Sequence, residues 1–248
     1  MHLLVTAGNT HTPIDQVRVI TNIFTGRTGA AIAVMAHQRG HHVTLLTSCP
    51  EVLAELSPPI SEGPRWHLYT YRSFTDLENL LARLVPSGSF QAIIHAAAVS
   101  DYRVEGVYLP SASSPLEQKS SSPLGQKLTA GKIPSSYPEL WLRLVPTPKL
   151  IDRFRPDWHF RGWLVKFKLE VGCSEEELLR RAETARRQSQ ADLLVANRLE
   201  DLPRWAWLGP VHDRYHRVER AELPLRLCQV LEELPASRPD SGRDPTEP

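Results

Sequence analysis

The chain is 248 residues long, 41% hydrophobic and 23% charged, and its 29 basic and 28 acidic residues leave a formal net charge of +1. That composition suits a soluble globular chain with a sizeable core and excludes disorder, collagen and coiled coil. A charge so near neutrality gives no concentrated basic surface, so neither nucleic acid nor an anionic membrane is expected as a partner.

The first residues, MHLLVTAG, run straight into an apolar strand pattern with no basic leader and no cleavage site, so the cytoplasm is the expected compartment. Residues 2–6 (HLLVT) read as a short buried strand and 28–38 (TGAAIAVMAHQ) as an alanine-rich helix with Gly40 as its C-cap. Residues 43–47 and 67–71 follow as strands, 74–84 (FTDLENLLARL) as an amphipathic helix and 92–96 (AIIHA) as a central strand. Strands alternating with helices are the pattern of a parallel sheet of Rossmann type. Residues 84–100 lack charge, but a Pro-Ser-Gly-Ser turn keeps their apolar part far short of the roughly 20 residues that a membrane span needs.

Residues 104–131 interrupt the pattern with serine, proline and a tandem echo, SPLEQKS from Ser114 and SPLGQKL from Ser122. Loops of this length are usually lids or disordered segments. Regular structure resumes at 141–145 and 162–167, then a helix from 174 to about 188 capped by Ser174, a strand at 192–196, short segments at 205–208 and 215–218, and a helix over 219–234. Residues 235–248 read as a disordered tail. Three widely spaced cysteines, Cys49, Cys173 and Cys228, fit neither a disulfide framework nor a cysteine zinc site. The histidines show no ligand spacing, so they read as solvated or core residues and no zinc is expected. The six lysines all fall between residues 119 and 168 in a chain whose other basic residues are arginine.

Ligands of open α/β sheets bind beyond the carboxyl ends of the strands, which directs attention to three junctions. The loop after the first strand opens a helix at Thr25-Gly26-Arg27-Thr28-Gly29, which suits a phosphate cradle or a plain helix cap with glycine turns; it is neither G-x-G-x-x-G nor a Walker A loop. After the central strand comes AAAVSDYR, whose alanines either admit a ligand to the backbone or simply pack the sheet, with Asp101 suited to a cation or a hydroxyl. The third junction, VKFKLE at 165–170, either stacks an aromatic on a base beside two lysines or alternates in and out of a strand.

In order along residues 2–200, TAGNTHTPID, Arg18-x-x-x-Asn22, TGRTG, AAAVSDYR, Lys132-Ile133, FKLE and Val195-Ala196-Asn197 together resemble the phosphopantothenoylcysteine synthetases, the phosphopantothenate-cysteine ligases of coenzyme A biosynthesis. The resemblance implies an α/β fold, a Rossmann-like three-layer sandwich with a mainly parallel sheet, a long active-site flap at about 104–134 and a C-terminal strand and helix extension, all within one nucleotide-binding ligase domain over 1–234. It implies a homodimer, Mg2+, CTP or ATP as cosubstrate, and 4'-phosphopantothenate and L-cysteine as substrates. Asn22 then acts on the acyl-nucleotidylate with Arg18 beside it, and Lys132 belongs to the flap; these are the implied catalytic residues. Gly8, Thr25, Gly26, Gly29, Ala97, Ala98, Asp101, Pro148, Lys149, Leu150, Ile151 and Phe167 are the implied nucleotide contacts, with Asp101 as the Mg2+ ligand, while Asn22 and Asn197 contact substrate. No flavin is expected, because the resemblance is to a form without the flavin-dependent decarboxylase half, leaving a separate decarboxylase to act on the product.

The chain also departs from the family pattern. Ile133, Pro134 and Ser135 follow Lys132 where further flap lysines are usual, and the 174–188 helix carries Arg181, Arg186 and Arg187 where lysines usually meet the triphosphate. Two rival readings remain: a catalytically degraded nucleotide-binding relative, and an NAD(P)-dependent oxidoreductase of the extended short-chain type, suggested by IIHAAA at 93–98 but lacking both G-x-x-G-x-x-G and Y-x-x-x-K.

Overall fold

A computed structural model describes residues 1–56, 60, 63–110, 125–129 and 131–238 of the chain. The apolar runs become strands that feed two cores at once. In β1 (His2–Ala7), Leu3, Val5 and Ala7 pack on one face of the sheet and Leu4 on the other. A small antiparallel hairpin follows, β2 (His11–Pro13) and β3 (Val19–Thr21). Helix α1 (Arg27–Gln38) buries Ile32, Ala33 and Ala36, and the chain leaves it through Gly40 at φ +88°. Next come β4 (His42–Thr47), α2 (Val52–Leu56) and β5 (Trp66–Thr70). Helix α3 (Phe74–Ser87) starts on a reciprocal cap: the Asp76 amide donates to Ser73 Oγ at 3.1 Å, and the Ser73 amide to Asp76 Oδ2 at 2.8 Å. The central strand β6 (Ala92–His95) then enters beside β1.

Part of the stretch expected to be loop is a second sheet. Strand β7 (Tyr102–Leu109) pairs antiparallel with β8 (Gln126–Leu128) and β9 (Trp141–Pro146), with Val107 and Tyr108 buried. Strand β7 was hidden because it runs into the serine- and proline-rich stretch, only half its length is covered, and its partner β9 lies more than thirty residues away. The first echo copy lies outside the described residues. The chain returns to the main sheet as β10 (Trp163–Glu170), crosses through α4 (Glu175–Gln188) and continues as β11 (Leu193–Arg198), β12 (Trp205–Val211) and β13 (Arg214–Glu219). The last helix, α5 (Leu223–Glu233), starts later than expected because β13 runs to Glu219. The beginning of the expected tail is tied down: Pro235 O accepts from Trp163 Nε1 at 3.0 Å, and Arg238 Nε donates to Asp192 Oδ1 at 2.5 Å. Residues 239–248 lie outside the described residues.

The main sheet has eight strands in the order β13-β12-β11-β10-β6-β1-β4-β5, parallel from β11 to β5, with β12 antiparallel to both its neighbours. Helices α1 and α5 cover one face, where Ile32, Leu227 and Leu231 meet Val5, Ile94 and Val165. Helices α3 and α4 cover the other, where Leu77 and Leu81 meet Leu4 and Ile93, and Leu178 and Ala182 meet Leu194 and Ala196. This is a Rossmann-like three-layer α/β sandwich, and each fully buried leucine or isoleucine in it contributes roughly 2 kcal/mol.

Candidate functional site

From β1 the chain crosses to β4 through α1 on one face, whereas from β6 it proceeds to β10 and β11 over the opposite face. Connections leaving neighbouring strands in opposite directions open a crevice at their carboxyl ends. Between the ends of β1, β6, β10 and β11 lies a cleft of about 1090 Å³.

Glycine makes the first wall. Gly8 (φ +89°) and Gly26 (φ +78°) both lie in the left-handed region, and a Cβ on Gly26 would stand 1.9 Å from the Gly8 nitrogen. A Cβ on Gly29 would stand 2.8 Å from Ala7 Cβ, so α1 begins flush against the end of β1. Gly26 occupies the N-cap, offering no side-chain acceptor, and the first turn contains no acid. The first intrahelical bond is Ala30 N to Gly26 O at 3.0 Å, which leaves the amides of Arg27, Thr28 and Gly29 without helical partners at the positive end of the helix dipole. Thr25 completes this wall.

The second wall follows β6. Ala97 N donates to Thr6 Oγ1 at 3.2 Å and Ala98 N to Gly8 O at 2.8 Å, holding the alanines against the first loop. Asn22 reaches the same place: its Nδ2 donates to Ala98 O at 2.9 Å, which uses one of the two amide hydrogens and leaves the other free for a ligand. Asp101 is exposed and accepts from Lys149 Nζ at 3.0 Å. Thr147 N donates to Asp101 O at 2.9 Å and Thr147 Oγ1 to Ser100 O at 2.6 Å, strapping Pro148 and Lys149 to the rim, while Leu150 and Ile151 anchor the turn in the α3-side core.

On β10, alternation directs Phe167 to the α1 side of the sheet and Lys166 and Lys168 to the α4 side. Lys166 Nζ donates to Ala185 O at 2.8 Å and Ser189 Oγ at 3.2 Å, and burial lowers its pKa. Beside it His95 is buried, with Nδ1 3.0 Å from Thr6 Oγ1; burial, and then the Lys166 charge, pushes the imidazole down to about 4. Asn197, buried at the end of β11, accepts from Arg220 at 2.9 Å through Oδ1.

The cleft lining therefore brings together Gly8, Asn22, Thr25, Gly26, Gly29, Ala97, Ala98, Asp101, Pro148, Lys149, Leu150, Ile151, Phe167 and Asn197. It does not include Arg18 or Lys132. Arg18 instead bonds Asp15 Oδ2 (Nε, 3.0 Å) and Ile133 O (NH2, 2.6 Å), and the Ile133 amide donates to Asp15 Oδ2 at 3.1 Å. The Arg18 guanidinium holds the Asp15 carboxyl well below the usual range, so this ion pair fastens the segment around Lys132 to the β2–β3 hairpin. The sequence placed Arg27, Thr28, Lys166 and Lys168 at candidate junctions without giving them roles of their own and carried no sign of Arg220; all five are on the lining. Five basic side chains, Arg27, Lys149, Lys166, Lys168 and Arg220, line the cleft; among the described residues Lys149 pairs with Asp101 on the lining, and Arg27 and Lys168 pair with Glu55 and Glu170 beside it.

His95 makes stability depend on pH. Its folded pKa of about 4 lies below the ordinary 6.5, so between those values the unfolded chain binds the proton and the folded chain does not. Its contribution is complete above pH 6.5 and disappears as pH falls towards 4, amounting to about 2–3 kcal/mol between pH 7.5 and 4.5. Urea unfolding at the two pH values should show His95→Gln losing that much less than the wild type, and identical losses would refute the assignment.

The family model for the DNA/pantothenate metabolism flavoprotein C-terminal domain matches residues 1–110. The coenzyme A biosynthesis bifunctional protein CoaBC of Thermococcus kodakarensis is 32% identical over 198 residues, 80% of this chain and 41% of that protein. The chain thus spans about two fifths of the length of the curated relatives it matches. The crystal structure of the DNA/pantothenate metabolism flavoprotein from Streptococcus pneumoniae superposes with a TM-score of 0.76 at 27% identity, covering 94% of this chain and 98% of that one. A Cab2 mutant in complex with phosphopantothenate-cysteine shares the fold at 19% identity, with a TM-score of 0.66 over 93% of this chain and 86% of that one. Over residues 1–110 the chain is therefore similar to the DNA/pantothenate metabolism flavoprotein C-terminal domain, and over most of its length to part of the coenzyme A biosynthesis bifunctional proteins.

Proposed function

We propose that the chain joins 4'-phosphopantothenate to L-cysteine through an acyl-nucleotidylate, consuming CTP or ATP and releasing pyrophosphate. The observation that carries this reading is one cleft at the sheet's switch point, lined by basic side chains and by the motif residues of the ligase family, in a relative of coenzyme A biosynthesis proteins. The substrate carboxylate attacks the α-phosphate and pyrophosphate departs. The cysteine amine then attacks the acyl carbon, loses a proton and displaces the nucleoside monophosphate. Free amides at the start of α1 and the lysines of β10 neutralise phosphate charge, and the unspent Asn22 amide hydrogen donates to the developing oxyanion. Phe167 offers a flat face to the base.

Among the described residues no three His, Cys, Asp or Glu side chains cluster as a metal site. One carboxylate together with substrate phosphates is a usual set for Mg2+, so Asp101 fits as its protein ligand, exchanging its Lys149 partner. Bound there, the ion would supply positive charge to the phosphates. Pyrophosphate release that requires both 4'-phosphopantothenate and cysteine tests the reading. Nucleotide binding without release under CTP or ATP would favour a degraded relative instead.

Lys132 reaches the phosphates only if its segment closes over the cleft, excluding the water that would hydrolyse the activated acid. Lys132→Ala should then lower kcat by about tenfold, in the range of one lost electrostatic contact. Unchanged steady-state kinetics would remove the flap from the mechanism.

A second copy of the chain is the proposed partner. Val17, Val19, Ile20 and Ile23 around the hairpin are exposed, as are Tyr102, Leu142 and Leu144 on the adjoining sheet, and Thr12 Oγ1 donates to Tyr102 O at 3.2 Å to join the two patches. A contiguous apolar face of this kind is characteristic of an interface. Sedimentation equilibrium should find a dimer that Ile20→Asp dissociates; a wild-type monomer at tens of micromolar would overturn it. Among the described residues no helix is long and apolar enough to cross a membrane.

A further inference from the structure

We infer that Arg220 is the cleft's polyphosphate anchor, reading the nucleotide's phosphate chain from the wall opposite the β10 lysines. The inference rests on the ligase reading above and assigns a binding residue that its motifs do not include. Arg220 follows β13, in the turn before α5. Strand β13 runs in the same direction as β11, so its carboxyl end also opens on the cleft edge.

The side chain is half-buried and bridges two elements. One nitrogen donates to Asn197 Oδ1 at 2.9 Å, the other to Thr28 Oγ1 in the first turn of α1, and the Arg220 amide donates to Arg204 O at 2.8 Å. Both side-chain partners are neutral oxygens. Other partly buried arginines carry carboxylates: Arg155 pairs with Asp192 at 2.7 Å and Arg186 with Glu183 at 2.7 Å. Among the described residues no carboxylate comes within 4.0 Å of Arg220, and burial alone acts on its charge.

A cation withdrawn from water without a counter-charge is costly, and arginine cannot relieve that cost by giving up its proton. An anion arriving from solution supplies the missing charge. Thr28 places the guanidinium beside the unpaired amides of the α1 start, so fork and amides converge on one anion, and the planar fork suits phosphate oxygens. The same contact engages Asn197 Oδ1, leaving its Nδ2 as the side chain's remaining donor.

A purely structural clamp between Thr28 and Asn197 would be indifferent to phosphate number, and the test exploits that difference. Calorimetric titration of the wild-type protein with ATP, AMP, CTP, CMP and inorganic triphosphate is compared with Arg220→Gln and Arg220→Lys. Arg220→Gln should weaken triphosphate binding at least tenfold and leave monophosphates within twofold, with Arg220→Lys recovering part of the loss. Equal weakening of tri- and monophosphates, or triphosphate affinity within twofold of wild type, would overturn the assignment. If Arg220→Gln does not fold, Arg220→Lys decides alone: a loss of twofold or more confined to triphosphates supports the anchor, and an unchanged ratio rejects it. A wild-type protein that binds no triphosphate would defeat the ligase reading itself, which separates that failure from a failure of Arg220.

Discussion

Asn22→Asp is expected to lower the rate of amide formation by about 10²–10³-fold while leaving nucleoside triphosphate affinity within about threefold. The side chain is held by its Nδ2 bond to Ala98 O at 2.9 Å, with the neighbouring loop fixed by Asn9 Nδ2 donating to Asn22 O at 2.8 Å. Aspartate has the same shape and no amide hydrogens. It withdraws the donor from the oxyanion and sets a negative charge beside both the acyl phosphate and the Ala98 carbonyl. Loss of the Ala98 bond costs roughly 1 kcal/mol of stability, too little to unfold a domain of this size. Single-turnover measurement separates pyrophosphate release from amide formation. Parallel loss of nucleotide affinity and amide formation would assign Asn22 to ground-state binding.

Gly26→Ala should be the most damaging single-methyl change at the site. It combines a left-handed φ of +78° with a Cβ 1.9 Å from the Gly8 nitrogen and 2.5 Å from its Cα, all backbone that cannot rotate away. Strain and overpacking together cost about 4 kcal/mol, or a fall in Tm of roughly 8–16 °C for a chain of this length. Moving α1 off the end of β1 also breaks the amide cradle, so triphosphate binding should disappear. Gly172→Ala isolates the strain: at φ +65° nothing lies within 4 Å of the added methyl, and about 1 kcal/mol is expected. Thermal melts giving the two variants equal losses would refute the close-approach argument.

Much of the fold was legible because its signals are local. Continuous apolar runs at β1, β4, β6 and β11 mark strands covered on both faces, and the acids following Ser174 mark a helix start where the unpaired amides need acceptors. Most of the cleft was legible for a related reason. A parallel sheet presents its strand ends along one edge, so motifs far apart in sequence but each following a strand must meet there.

What the sequence determined by itself is the alternating architecture and its helix caps, since each depends on backbone reach or on a neighbour a few residues away, while the order of its motifs picked out the glycines, alanines and Asn22 that the fold gathers at the crevice. Only the tertiary structure decided strand partners, side-chain faces and charge pairing. Strand β7 finds β9 through backbone bonds common to almost any sequence, so its residues carried no sign of which strand it would pair with. Alternation on β10 separates Phe167 from Lys166 and Lys168, and the sequence pattern allowed either that or a shared surface. Arg18 pairs with Asp15 at the hairpin, and Ile133 next to Lys132 is tied to both, because an ion pair forms with whatever carboxylate the fold brings near. Arg220 reaches the cleft only because β12 turns back and restores β13 to the direction of β11, a reversal set by non-local pairing that leaves no local pattern to read.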